Sequence, residues 1–78
     1  MEITLLDIKP EQKAKILRLE GGYGAQRKLR TLGIREGKLV KLVTRHPIGG
    51  PLVIEIDERA IITIGRGMAS KIIVEVMK

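Results

Sequence analysis

The sequence predicts a mostly β protein, a small and strongly bent barrel of five strands with one short α-helix after the first strand. The apolar share is 44% and almost entirely aliphatic, and branched aliphatic side chains pack well on pleated sheets. Short apolar runs with partial alternation recur along the chain, and glycine-rich turns separate them. Because 78 residues leave room for one core, we expect a single domain over residues 1–78.

Five segments are predicted to be strands because their apolar residues alternate or cluster between turn residues. The first follows a turn in which Pro10 fixes the backbone angle φ. Asp57 and Glu58 are predicted to form a tight hairpin turn between the third and fourth strands. The predicted strands are residues 13–19, 38–45, 52–56, 60–64 and 72–76.

Between the first two strands the apolar period changes from two to about 3.6 residues. Ala25, Leu29 and Leu32 recur at the spacing of one helix face, which predicts a helix of two turns over residues 25–32. Gly33 stands where a left-handed residue ends a helix, and Ile34 can then fold back on Leu29. So short a helix is not stable alone, so we expect it to pack on the barrel.

The predicted core consists of the inward-facing side chains of these elements. Tyr23 is the only aromatic residue, so aliphatic side chains must supply the cohesion of the core. A further helical turn is expected at residues 67–69, before the last strand. The predicted core residues are Ala14, Ile16, Leu29, Leu32, Val40, Leu42, Leu52, Ile54, Ile56, Ile62, Ile64, Ile72, Val74 and Val76.

The chain is basic, with 15 Lys and Arg residues against nine Asp and Glu residues and a net charge of +6. The excess lies in residues 1–45, which hold eleven basic and five acidic residues. An acidic partner is therefore expected, whether protein, membrane surface or nucleic acid. The chain has no apolar run near the ~20 residues that span a bilayer and no signal-peptide pattern, so a soluble cytoplasmic protein is expected, without membrane insertion.

Residue types that carry catalysis or bind metals are scarce. His46 is the only histidine, Ser70 is the only serine, and cysteine is absent, so we expect neither a catalytic triad nor a tight transition-metal site within one chain. Residues 33–39 are one residue short of a phosphate-binding loop, and residues 22–27 lack the third glycine of a dinucleotide fingerprint. We therefore expect no enzymatic activity, no cofactor and no resident metal, although a weak transition-metal site shared between chains is not excluded.

Four segments resemble one known family in their order and spacing: residues 19–22 (LEGG), 27–37 (RKLRTLGIREG), 47–52 (PIGGPL) and 69–75 (ASKIIVE). Together they resemble the ferrous iron transport protein A (FeoA) family over about residues 3 to 76. Residues 64–68 (IGRGM) depart from the family pattern, which more often has a polar residue before the alanine. The resemblance implies a stand-alone FeoA domain.

The family resemblance also implies a fold, a role and a partner. The fold is an SH3-like barrel. The role is that of a cytosolic, non-enzymatic accessory protein in ferrous iron uptake. The implied partner is the membrane iron transporter FeoB, whose cytosolic part carries a GTP-binding domain, and a homo-oligomer is a further alternative.

A partner-binding surface is predicted from the polar face of the helix and the loop of residues 46–51. The polar helix residues point away from the apolar stripe, and two prolines stiffen the loop around an apolar tip at Ile48. The predicted binding residues are Gln26, Arg27, Arg30, His46, Pro47, Ile48, Gly49, Gly50 and Pro51.

Two alternative functions remain at the level of the sequence. The first is nucleic-acid binding by a small basic barrel, although single-strand binders normally present several aromatic platforms. The second is a stand-alone version of the SH3-like module of metal-dependent repressors, again implied by the family resemblance. The basic face for nucleic acid would comprise Lys13, Lys15, Arg18, Arg27, Lys28, Arg30, Lys38, Lys41 and Arg45.

Overall fold

Antiparallel strands curl around one core in the computed structural model, which describes residues 1–77. The elements are β1 (Glu2–Thr4), a 3₁₀ helix (Leu5–Asp7), β2 (Lys13–Leu19), α1 (Tyr23–Thr31), β3 (Leu39–Arg45), β4 (Leu52–Ile56), β5 (Ala60–Ile64), α2 (Arg66–Ala69) and β6 (Ile72–Val76). The strands form a single sheet in the order β1-β6-β2-β3-β4-β5, so β1 and β5 are its edges.

The predicted mostly β fold class is confirmed, and all five predicted strands form. Their number was wrong, because the described residues contain six strands and β1 was not predicted. Three residues are too few to show alternation in a sequence. β1 forms because it pairs with β6, where Ile3 lies opposite Val74.

Two bulges bend the sheet into a barrel. The pairing of β2 with β6 shifts register between Ile16 and Arg18, and the pairing of β3 with β4 shifts between Leu42 and Thr44. An extra residue on one strand of a pair kinks that strand and increases its twist. This curvature lets a sheet of short strands enclose its own apolar face.

The core is aliphatic, as predicted, and all but three of the predicted core residues are buried. Ile62 and Val76 are half-buried. Leu32 was placed in the core wrongly, because its side chain is 39% exposed. Ile34 is fully buried and is the residue after the helix that contributes to the core. The chain turns back at the end of α1, so the apolar stripe of the helix ends at Leu29 and does not include Leu32.

The 3₁₀ helix and α2 complete the core in a way that the sequence did not predict. Leu5, Ile8 and Ala69 are fully buried. Arg45 fixes the 3₁₀ segment to the end of β3, because its guanidinium donates hydrogen bonds to the carbonyl oxygens of Leu6, at 2.9 Å, and of Ile8. This arginine therefore supports the fold.

Helix α1 begins at Tyr23, two residues before its predicted start. It ends in a Schellman motif, as predicted: Gly33 has a φ of 91°, and its N–H donates to the carbonyl of Arg30 at 3.0 Å. The N–H of Ile34 donates to the carbonyl of Leu29, also at 3.0 Å. This motif turns Ile34 under the helix and sends the chain toward β3.

The turn between β4 and β5 is the predicted tight hairpin. Asp57 and Glu58 both have positive φ values, 50° and 60°, as in the turns that match the twist of paired strands. The N–H of Arg59 donates to the carbonyl of Ile56 at 3.0 Å and closes the turn. The register that follows is regular along β5.

Helix α2 confirms the helical turn expected at residues 67–69 and leads into β6. Both helices are short. No helix within residues 1–77 has the length and apolar character needed to cross a membrane.

Candidate partner-binding surface

Of the three predicted binding residues on α1, two also support the helix. Gln26 donates from Nε2 to the carbonyl of Gly21 at 3.0 Å. Arg30 forms a two-pronged ion pair with Glu36, with Nη1 to Oε1 at 2.9 Å and Nη2 to Oε2 at 3.0 Å. These hydrogen bonds hold the pKa of Glu36 below its ordinary value. Gln26 and Arg30 therefore also make hydrogen bonds within the chain, and the binding role predicted for them stays a prediction.

Arg27 is the member of this face that stays exposed with no hydrogen bond or ion pair from its side chain among the described residues. Together with Tyr23, Gln26 and Arg30 it lines a shallow groove along α1. The Tyr23 side chain is 81% exposed and was missed as a site residue. The sequence held one indication of this exposure: Tyr23 is the only aromatic residue, and it does not belong to any of the apolar patterns that predict the core.

The loop of residues 46–51 is a tight turn closed by the N–H of His46, which donates to the carbonyl of Pro51 at 3.1 Å. At its tip, Ile48 has a φ of 58° and Gly49 a φ of 75°. The Ile48 side chain is fully exposed. A β-branched residue in the left-handed region is a genuine outlier, because its Cβ crowds the backbone there.

Close packing inside this loop requires Gly50. A Cβ atom built on Gly50 would lie 2.4 Å from Cβ of His46, far inside van der Waals contact. The side chain of His46 itself is exposed. The loop therefore has a defined shape in which Gly50 makes room for His46 while Ile48 points into solvent.

The two predicted parts of the surface meet different ends of the α2 segment. A Cβ atom built on Gly49 would lie 3.9 Å from Cδ of Arg66, and one built on Gly21 would lie 2.8 Å from Cδ of Lys71. No hydrogen bond or ion pair joins α1 directly to the loop within residues 1–77. Arg66 therefore lies beside the loop and Lys71 beside the residues that precede α1, and sequence reasoning missed both.

The charge of this surface comes from two stretches of the chain that contain no Asp or Glu, residues 21–35 and 59–74. The two stretches approach each other at two places: Gly21 lies beside Lys71, and Leu32 and Gly33 line one groove with Arg59 and Ala60. Except for Asp7, every acidic residue of the chain forms an ion pair with a basic group. Among the residues described, Arg27, Lys28, Arg66 and Lys71 have no acidic partner. The α1 and α2 side of the barrel is therefore positively charged.

The basic face expected for nucleic-acid binding is not assembled as one free surface. Most of its members are engaged elsewhere: Lys13, Arg18, Arg30, Lys38 and Lys41 form ion pairs, and Arg45 binds backbone carbonyls. Lys15 lies on β2, whereas Arg27 and Lys28 lie on α1.

Within residues 1–77, no three His, Asp or Glu side chains come together as a metal site would require. His46 has no second histidine and no cysteine to share a metal with, since it is the only histidine of the chain and cysteine is absent. The expectations of no cofactor and no resident metal stay predictions.

One family model matches nearly the whole chain. The model of the FeoA domain matches residues 3–76 of the chain. This chain belongs to the FeoA family. Among solved structures, an iron uptake regulatory protein (FeoA) is 25% identical to this FeoA-family chain, with a TM-score of 0.87 and 99% of each chain covered. Iron(II) transport protein A from Clostridium thermocellum is 33% identical, with a TM-score of 0.88, and the match covers 96% of this chain and 46% of that one.

The FeoA-family barrel also resembles part of a larger regulator. A manganese-dependent transcriptional repressor in complex with manganese has a TM-score of 0.90 at 18% identity, over 97% of this chain and 37% of that one. At this identity the likeness shows the fold alone, and it confirms the SH3-like barrel. No curated protein sequence matches this FeoA-family chain.

Proposed function

We propose that this FeoA-family protein is a non-enzymatic accessory protein of ferrous iron uptake that binds, on the cytoplasmic side of the membrane, a FeoB-type transporter carrying a GTPase domain. Membership of the FeoA family supports the iron-uptake context. The similar proteins named for iron uptake regulation and iron(II) transport support the same context. The proposed role is regulation or assembly of the transporter through contact.

The conformation of Ile48 is the observation that carries a binding role for the loop. Its side chain is fully exposed and contributes nothing to the core. Its positive φ of 58° costs on the order of 1 kcal/mol for a branched residue. Residues held in such conformations concentrate at functional sites, where contacts outside the fold compensate for the strain. An apolar side chain held out on a tight turn is suited to enter a pocket of a partner.

Arg66 lies beside the loop that carries this apolar anchor, and Arg27 and Lys71 add positive charge to the α1 and α2 side, where no acidic residue of the described chain pairs with them. Charge complementarity increases association rates and selects partners. The matching surface on the transporter is therefore an apolar pocket with an acidic rim.

Binding of labelled protein to the isolated cytosolic domain of the transporter tests this proposal. We expect Ile48→Asp to raise Kd at least about tenfold, because a charge replaces a buried apolar anchor. Arg27→Glu should slow association and weaken the salt dependence of binding. Lys9→Glu is the matched control, since Lys9 is an exposed lysine outside the surface. Equal binding by all four proteins would show that the surface lies elsewhere.

The alternative of a repressor-type SH3-like module receives support from the fold alone. Nucleic-acid binding receives less, because the basic face it needs is largely occupied by ion pairs. An oligonucleotide titration at low and at physiological salt separates these functions from transporter binding. Tight binding that persists at physiological salt would favour nucleic acid.

A further inference from the structure

β5 is an edge strand whose outer side is free. It pairs with β4 and with no other strand, and among residues 1–77 it makes extensive contacts only with β4. Along β5, Ala60, Ile61 and Thr63 are exposed and Ile62 is half-buried. The side chain of Ile61 is 62% exposed. The strand is therefore open to solvent on one side.

Hydrogen-bond directions along β4 establish which backbone groups of β5 are free. The N–H of Asp57 donates to the carbonyl of Leu39 at 2.9 Å, so the backbone N–H and C=O groups of residue 57 point toward β3. Backbone hydrogen-bonding directions alternate along a strand, so the backbone groups of Ile56 point away from β3 and toward β5. In agreement, the carbonyl of Ile56 accepts a hydrogen bond from the N–H of Arg59. Residues 52, 54 and 56 therefore direct their backbone groups at β5.

Because β4 and β5 pair in a regular register, the backbone groups of β5 alternate in the same way. Ile54 lies opposite Ile62, with the neighbouring pairs in regular order. Ala60, Ile62 and Ile64 thus use their N–H and C=O groups in the ladder with β4. Ile61 and Thr63 direct theirs outward, where a further strand would bind.

β5 lacks the features with which proteins usually protect an edge strand. Residues 60–64 include no charged residue and no proline, and their pairing with β4 has no bulge. The other edge differs: β1 has three residues, and the carboxylate of Glu2 is paired with Arg18 at 2.7 Å. An unprotected edge of this kind is a template for pairing with another polypeptide.

Positive charge lies at both ends of this edge. Arg59 precedes β5 and Arg66 follows it, and both are exposed and without an acidic partner among the described residues. Residues 59–74 contain no Asp or Glu. A shallow groove at the start of the strand is lined by the apolar residues Leu32, Ile56 and Ala60, by Arg59, and by the ion pair of Lys38 with Asp57.

We propose that the outer edge of β5 binds an extended acidic polypeptide segment as an additional antiparallel or parallel strand. Donors and acceptors alternate along this edge, and only another peptide backbone complements both. A DNA backbone offers acceptors alone, and the 2′-hydroxyl groups of RNA do not repeat at the spacing of a β-strand. A second copy of this chain complements the edge less well than an acidic segment, because antiparallel pairing of two β5 strands would place Arg59 as well as Glu58 of each copy near Arg66 of the other, whereas an acidic segment places only carboxylates there. This inference does not depend on the transporter being the partner.

The expected ligand is a strand of about five residues with acidic groups at both ends. Its acidic ends would lie near Arg59 and Arg66. An apolar residue beside Ile61 would cover that exposed side chain, which adds apolar burial to the main-chain hydrogen bonds. Affinity would come from the backbone, and selectivity from the two arginines.

Amide hydrogen exchange, read by NMR, tests the proposal at individual backbone groups. The probe is the synthetic peptide Asp-Glu-Val-Thr-Val-Thr-Val-Asp-Glu, and the control peptide carries lysine in place of each acidic residue. We expect the acidic peptide to slow exchange at the N–H groups of Ile61 and Thr63, with little change at Ile62. Binding without protection of Ile61 and Thr63, or equal binding of the lysine peptide, would overturn the proposal.

Two pairs of variants complete the test. Thr63→Pro removes an outward N–H without removing a bond to β4 and should raise the Kd of the acidic peptide about tenfold, whereas Thr63→Val should not. Should the proline variant fail to fold, the double variant Arg59→Glu with Arg66→Glu must abolish peptide binding, and Lys9→Glu must leave it unchanged. Protection of Ile61 and Thr63 that rises with protein concentration, without peptide, would identify a second copy as the occupant instead.

Discussion

At the scale of single residues, a few positions hold conformations or contacts that their residue type does not favour. Ile48 is the clearest, because a branched side chain stands at positive φ on a turn where Asn or Gly is normally found. Gly33 shows the opposite case, in which the residue type suits the left-handed conformation. Substitutions at both positions separate conformational strain from function.

Replacing Ile48 with Asn should stabilise the protein. Asn tolerates the left-handed region at the first central position of such turns, so Ile48→Asn should raise the free energy of unfolding by about 1 kcal/mol. Urea denaturation measures the change. If the loop binds the transporter, the same variant should bind it more weakly. Unchanged or lower stability would contradict the strain assigned to Ile48.

Two glycines near α1 should respond in opposite directions. Gly33→Val should lower the free energy of unfolding by about 1 kcal/mol or more, because valine is strained at positive φ even in open space. Gly24 lies within the helix with open space around it, so Gly24→Ala should raise stability by about 0.5 to 1 kcal/mol. Thermal unfolding of both variants checks this, and a shift of equal sign would refute the assignment.

At the scale of elements, short segments depend on contacts with neighbours. Helix α1 has no side-chain cap at its start, and β1 has only three residues. Hydrogen bonds from other segments hold several turns in place. The carboxylate of Asp57 is one example: its Oδ1 accepts the N–H of Leu39, and its Oδ2 lies 2.9 Å from Nζ of Lys38. It thus fastens the β4–β5 turn to the start of β3.

This contact predicts a pH dependence of stability. The hydrogen bond from Leu39, and then the ammonium of Lys38, lower the pKa of Asp57 below its ordinary value. A carboxyl group with a lowered pKa stabilises the fold above the pKa of the unfolded chain, and this contribution is lost as pH falls through the folded pKa. Asp57→Asn should therefore cost stability at neutral pH and less in acid.

Urea denaturation at about pH 7 and about pH 2 measures this difference. Asparagine keeps the size of the side chain and tolerates positive φ, so the turn itself is preserved. Asp7→Asn is the control, because Asp7 is exposed and forms no ion pair within residues 1–77. A cost of Asp57→Asn that is equal at both pH values would contradict the role of its charge.

At the scale of the whole molecule, two sides of the barrel differ in their charge. Acidic residues are paired with basic ones around β2, β3 and β4, whereas α1, α2 and the residues that flank β5 include arginines and lysines without an acidic partner among the described residues. This arrangement leaves the proposed partner-binding surface and the β5 edge on neighbouring parts of one positive side. A positive side of this kind suits contact with an acidic partner.

The purified protein should hydrolyse no nucleotide and retain no stoichiometric metal after dialysis. The reason is chemical: the chain lacks cysteine, has one histidine and has no phosphate-binding loop. Elemental analysis and a phosphate-release assay measure the two quantities. One iron or zinc held tightly per chain, or nucleotide turnover above background, would be the contrary result.

The sequence by itself determined the features that arise from local chemistry. Alternating aliphatic residues determined the five longer strands, and Gly33 determined the end of α1, since both signals act over a few neighbouring residues. Gly49 and Gly50 marked the loop in which Ile48 is exposed. These features need no information about distant parts of the chain.

The tertiary structure decided what depends on contacts between distant segments. Strand β1 forms only because β6 is beside it, and Ile34 rather than Leu32 enters the core because the chain turns back under the helix. The pairing of Arg30 with Glu36 and the approach of Arg66 to the loop likewise follow from packing. Long-range contacts determine which side chains are buried and how the acid-free segments 21–35 and 59–74 approach each other. Such contacts leave no periodic signal along a chain.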